Sequence, residues 1–195
     1  MTTTPSRYPV ELPLREGVVL LRPPEPEDRD GILAFAQSLP THDLLFLRRD
    51  ITRPEEVDDW IASVVAGELA TVLAIREDDV VGYAVVDRSR LEWMRHVAEL
   101  RVMVSATMRG QGLGRLLTTE AFRIASEMGV EKMVAQMTTD QRTAISVFQN
   151  LGFENEAVLH EHVRDRDGKK YDLLILRRAV SGFESSVILE EYGVS

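Results

Sequence analysis

The sequence predicts an α/β protein built on a mixed sheet, and three observations carry that expectation. Helical and strand periodicities alternate along the chain in the order βααβββαβαββ. Three consecutive strand patterns are joined by short polar turns, the sign of an antiparallel meander, and lead into a strand–helix–strand crossover. Finally, 195 residues with 44% hydrophobic and 28% charged content suit one compact domain with short tails. Helices are expected on both faces of the sheet. Residues 1–15 read as a flexible arm, 16–178 as a single domain, and 179–195 as a tail of unassigned packing, in which Val187-Ile188-Leu189 could dock on the body or on a partner.

Each element has its own signal. Gly17–Arg22 is β-rich and stopped by Pro23 and Pro24. Pro26-Glu27-Asp28 opens a helix with acids in its first turn, and Pro40 ends it. Thr52 with Glu55 three residues on has the capping-box spacing, and Val57, Trp60, Ile61, Val64 and Val65 follow as a helical stripe. Thr71–Ile75, Val80–Val86 and Val97–Val104 form the meander, with Asp78-Asp79 at its first turn. The stripe Leu113, Leu116, Leu117, Ala121, Ile124, Ala125 and Met128 makes a long helix that stops at Gly129. Lys132–Met137 is a strand, and Arg142–Leu151 a helix ending at Gly152. Ala157–Val163 and Lys170–Leu176 alternate around Asp167-Gly168, a hairpin signal.

Composition excludes several functions. The net charge of -9 disfavours nucleic-acid binding, which needs clustered Lys and Arg. Without cysteine there is no disulfide, thiolate metal site or cysteine nucleophile. His160 and His162, on one strand face by alternation, have no third ligand at a telling spacing, so no metal is expected. Met1–Val10 lacks the apolar stretch of a signal peptide, and no apolar run is long enough to span a bilayer. A cytoplasmic protein without a membrane partner is expected.

The chemical signal lies in Arg109-Gly110-Gln111-Gly112-Leu113-Gly114, between a strand and a helix. Glycines at such a turn let backbone N–H groups face an anion without a clashing Cβ. The helix start adds unpaired N–H groups and the positive end of the macrodipole, a setting suited to a diphosphate. Arg109 and Arg115 flank it. A dinucleotide fingerprint needs glycine where Arg115 stands, and a Walker loop needs its second glycine at the same place, so both are excluded.

Arg-x-x-Gly-x-Gly after an apolar strand resembles the signature of the GNAT superfamily of N-acetyltransferases, and the order of elements is similar to that superfamily's over Val18–Arg177. The resemblance implies an acyl-CoA N-acyltransferase domain over 16–178. It implies acetyl-CoA held by Arg109, Gly110, Gln111, Gly112, Leu113, Gly114 and Arg115, with the pantetheine arm added alongside the main chain of Val102, Met103 and Val104. It further implies a primary amine acceptor, either a small molecule or a protein lysine, and admits a homodimer. The strand placement of Glu99 and the opening Val19–Pro23 are similar to the bacterial Pat-type protein-lysine acetyltransferases.

Acyl transfer to an amine requires an unprotonated nucleophile, and a lysine-like ammonium has a pKa of about 10.4. The resemblance makes Glu99 the general base. Its competing role is an ion pair with Arg101, two residues on and on the same face. Where the superfamily often carries an asparagine and an acidic tyrosine before Gly-Phe, this chain has Gln141 and Phe148, which stay as cofactor contacts. A phenyl ring donates no proton. Trp93 and His96, in the turn before Glu99, are expected to line the acceptor site. The alternative expectation is a module that binds acyl-CoA without turnover.

Overall fold

The computed structural model describes residues 7–44, 47–165 and 167–181. Its strands are β1 (Val10–Pro13), β2 (Val18–Arg22), β3 (Ala70–Arg76), β4 (Asp79–Arg88), β5 (Val97–Val104), β6 (Lys132–Thr138), β7 (Glu154–Arg164) and β8 (Lys170–Ala179). The helices are α1 (Arg29–Ser38), α2 (Thr41–Leu44), α3 (Pro54–Val65), α4 (Leu113–Glu127) and α5 (Arg142–Asn150). The expected order is present, with β1 and the single turn α2 added to it. The strands hydrogen-bond in the order β1-β2-β3-β4-β5-β6-β8-β7 in one sheet. It is mixed: β5 and β6 run parallel, whereas β2–β3, β6–β8 and β7–β8 are antiparallel.

The chain forms two compact units. The first runs to Val85 and resumes over Val102–Leu117; the second takes Val86–Arg101 and the chain from Thr118 onward. Among the described residues no helix is long and apolar enough to cross a membrane.

In the first unit, α1 and α3 bury Ile32, Phe35, Val57, Trp60 and Ile61 with Leu73, Val80 and Tyr83 of the strands. Trp60 and Phe35 meet the Tyr83 ring edge-on at 4.9 and 5.9 Å, and the Trp60 indole N–H donates to Thr71 Oγ1 at 3.1 Å. The buried donor is thereby satisfied inside an apolar cluster. Val65, expected on this stripe, is exposed, since the buried face of α3 ends with Val64.

A 3-10 turn at Pro26–Asp28 leads into α1. Arg22 grips the Asp28 carboxylate with both terminal nitrogens, at 2.6 and 2.7 Å, and the Glu25 N–H donates to it at 2.7 Å. Burial pushes the Asp28 carboxyl up, but the bonds from Arg22 and Glu25 outweigh it and hold the group below its ordinary value.

Three expectations are corrected here. The arm 1–15 contains β1, paired antiparallel with β2 from Val10↔Leu21 to Pro13↔Val18. The Thr52 capping box does not form: Thr52 Oγ1 donates to Asp50 Oδ1, and Arg53 takes the N-cap position before Pro54. A neighbouring carboxylate competes for the hydroxyl that would have capped α3. The first meander turn is Glu77-Asp78 rather than Asp78-Asp79, with φ of +53° and +70°, the two left-handed residues of a type I′ hairpin.

In the second unit, Phe153 is met edge-on by Phe122 of α4 at 5.6 Å and by Phe148 of α5 at 5.0 Å. Arg178 of β8 lies over the Phe122 ring, 5.7 Å from its centroid, and burial holds its guanidinium below the usual value. The β7–β8 hairpin is irregular. Its register shifts between Leu159 and Val163, where Glu161 has φ +47° and donates its N–H to Asp172 at 2.8 Å. That bulge breaks the alternation that would align His160 with His162; instead His160 Nδ1 lies 3.1 Å from Asp172 Oδ2. The tail segment Val187–Leu189 lies outside the described residues.

Candidate active site

The glycine loop belongs to the first unit. β5 ends at Val104, Ala106–Met108 make a 3-10 turn, and α4 starts at Leu113. Gly110 and Gly112 have φ of +78° and +95°, and a Cβ at either would meet nothing within 4 Å. The requirement for glycine is therefore conformational, and the space beside both is open. Gly114 differs: a Cβ there would lie 3.8 Å from Val104 Cγ2, an ordinary contact at an ordinary helical position. Nothing inside the protein demands glycine at 114.

Three side chains that sequence reasoning passed over brace this loop. Arg15 Nη1 donates to Gly110 O at 3.3 Å, and the Arg15 N–H donates to Gln111 O at 3.4 Å. Arg76 Nη1 donates to Gln111 Oε1 at 3.2 Å, while Gln111 Nε2 donates to Thr107 O. Arg109, expected to meet phosphate, is paired with Asp43 of α2 at 2.7 Å. These contacts span 95, 35 and 66 residues of sequence, so no local pattern announced them.

The strand before the loop has a distinctive edge. β5 pairs with β6 only from Val97↔Lys132 to Glu99↔Val134, although the strands run on to Val104 and Thr138. Beyond that point β6 continues to pair with β8 as far as Thr138↔Leu173. At the start of β5 the Ser89 N–H donates to Val97 O, and at its end the Ser105 N–H donates to Val81 O. Both bonds reach the β4 side, so by the two-residue repeat Met103 turns its peptide groups the same way. Val102 and Val104 turn theirs to the opposite edge, where the ladder with β6 has ended. A Cβ on Gly82 of β4 would come within 2.8 Å of Met103 O, so glycine there permits the close approach of β4 to β5.

The remaining expected residues lie in the second unit. Glu99 is largely buried and accepts from Arg101 Nη2 at 2.5 Å, the ion pair that the sequence spacing allowed. Trp93 stands on a 3-10 turn over Glu92–Met94 and is 73% exposed. His96 presents an exposed ring, while its carbonyl accepts the N–H groups of Glu131 and Lys132 at 2.8 and 3.0 Å. Gln141 occupies the N-cap position of α5 without a side-chain cap bond, and its Oε1 accepts the Thr138 N–H at 3.0 Å. Phe148 is buried against Phe153. Arg115 is exposed in the first turn of α4. Among the described residues, no group of three or more His, Asp or Glu side chains is placed to hold a metal ion.

Comparison with known proteins agrees with this geometry. Residues 38–153, more than half of the chain, match the acetyltransferase (GNAT) family. A putative phosphinothricin acetyltransferase of Bacillus subtilis is 34% identical over 43% of this chain and 51% of its own length. The L-amino acid N-acyltransferase of Escherichia coli is 32% identical over 63% of this chain and 73% of its own. The chain thus spans about half of the first relative and nearly three quarters of the second. A putative acetyltransferase of Salmonella typhimurium, solved with acetyl-CoA, shares the fold at a TM-score of 0.69 and 22% identity, over 84% of this chain and 94% of that one. The loop, the strand edge and these likenesses converge: the chain belongs to the GNAT family of acetyltransferases.

Proposed function

We propose that this protein transfers an acetyl group from acetyl-CoA to a primary amine by direct attack. The observation that carries this reading is the edge of β5, whose ladder with β6 stops at Glu99 while the strand continues into the glycine loop. The main chain of Val102 and Val104 is free of β6 along that edge, and an extended amide-bearing arm would pair with it as an added strand. The turn 109–112 and the first turn of α4 would take the diphosphate. Thioester and diphosphate would then be fixed by one continuous piece of chain.

On this reading Glu99, three residues before Val102 on the same strand, accepts the proton that makes the amine a nucleophile. The amine nitrogen bonds to the thioester carbon, and the oxyanion that develops is met by a main-chain N–H of β5. The carbon–sulfur bond breaks, and the thiolate takes its proton from the newly acylated nitrogen. Phe148 at the family's tyrosine position has no proton to give, so no side chain there serves as the acid. Gln141 and Phe148 are candidates for the cofactor, and Trp93 and His96 for the acceptor, on the family resemblance of their positions. The names of the relatives favour a small amino-acid-like amine over a protein lysine as the first acceptor to try. This reading places the protein in the cytoplasm.

The competing reading is an acyl-CoA-binding module without turnover, and the Arg101 contact to Glu99 speaks for it, because an ion pair along the strand is a structural role for that carboxylate. Release of free thiol from acetyl-CoA, measured across a panel of amino acids, amines and lysine peptides, separates the two. Amine-dependent release that falls in Glu99→Gln supports the enzyme. Binding of acetyl-CoA with no release for any acceptor supports the module.

A further inference from the structure

The turn between β1 and β2 carries a cation that no sequence motif signals. Leu14 N–H donates to Gly17 O at 2.9 Å, closing a tight turn, and Gly17 adopts φ +84°. The turn brings Arg15 against the glycine loop through two bonds, its own N–H to Gln111 O and its Nη1 to Gly110 O. One of five guanidinium donors is used there, and the acceptor is an uncharged carbonyl. Among the described residues no carboxylate lies within ion-pair distance of Arg15, and its side chain is exposed. Arg109, the arginine of the motif itself, is by contrast neutralised by Asp43. Arg76 already spends its guanidinium on Gln111, Met108 and Glu77. Arg15 is therefore a positive charge held on the loop with no carboxylate partner among the described residues.

We propose that Arg15 is a phosphate-binding residue of the acyl-CoA site, supplying from the β1–β2 turn the positive charge that Arg109 shares with Asp43. The inference rests on the loop's assignment to the CoA phosphates. A guanidinium anchored by one bond to Gly110 O keeps the rest of its fork for phosphate oxygens, the bidentate partners that arginine suits best. It also gives β1 a purpose: four residues of strand, paired with β2, fix the turn that places this charge.

The test is the dissociation constant of acetyl-CoA for the full chain and for Arg15→Gln, Arg15→Lys and Gly114→Asp, at about 50 and about 500 mM salt to vary screening. Arg15→Gln is expected to weaken binding about five- to tenfold at the lower salt, the scale of one solvent-exposed hydrogen bond, and less at the higher. Arg15→Lys should recover much of the loss. Equal affinity of Arg15→Gln and wild type at both salts would overturn the proposal. So would an equal, salt-independent loss in Gln and Lys, which would mark Arg15 as a brace only. If wild type fails to bind, or Gly114→Asp binds as tightly as wild type, the loop assignment itself fails instead.

Discussion

The glycine loop and the Glu99 segment are neighbours in sequence, yet they are built differently. The loop is defined by its main chain. Gly110 and Gly112 hold backbone angles that other residues resist, and the braces Arg15, Arg76 and Asp43 grip its carbonyls and side chains from distant sequence. In the second unit the candidate residues are single side chains: Glu99, paired with Arg101, and Phe148, packed on Phe153. A site made of backbone geometry survives side-chain drift. One made of a lone carboxylate is removed by a single substitution.

That contrast can be broken at its weaker side first. Glu99→Gln keeps the shape but removes proton acceptance, and amine-dependent turnover is expected to fall about 100-fold or more, with acetyl-CoA affinity little changed. Equal turnover would remove Glu99 from the chemistry.

Stability gives a second, independent contrast. Asp28→Asn breaks the two-pronged pair with Arg22 and is expected to cost about 2 kcal/mol in denaturant unfolding. Because the folded Asp28 carboxyl lies below its unfolded value of 3.8, the stabilisation is fully present above that value and is lost as pH falls through the folded one. The penalty of Asp28→Asn should therefore be large at neutral pH and shrink in acid. A penalty that does not vary with pH would show that the charge is not what holds α1 to β2.

The smallest effect belongs to Gly114→Ala. Its Cβ meets only Val104 at 3.8 Å, so the fold should gain up to about 1 kcal/mol from the better helix former. A loss of stability in thermal unfolding would mean that glycine at 114 serves the fold after all.

Much of the fold is legible in the sequence. Val97–Val104 was bounded correctly because turn residues and the change to helical period flank it, and the α4 stripe followed from its repeat alone. β1 had no comparable signal: Val10–Pro13 is four residues long, ends in proline, and is a strand because β2 pairs with it. Thr52 fitted a capping pattern, and only three-dimensional proximity shows that Asp50 takes its hydroxyl. At the site the glycines were readable because their backbone angles demand them. Arg15, Arg76 and Asp43 were not, since contacts 35 to 95 residues apart leave no periodicity to read.

The central claim is that the main chain of residues 109–114 holds the phosphates of acetyl-CoA, and substitution at Gly114 tests it most directly. Aspartate suits the first turn of a helix, so Gly114→Asp should fold. Its carboxylate beside a diphosphate is expected to raise the dissociation constant for acetyl-CoA about 100-fold or more, whereas Gly114→Ala stays near wild type. Calorimetric titration of the two variants decides the matter. Loss in the aspartate variant alone is the outcome this account requires, and equal affinity for Ala and Asp at 114 would contradict it.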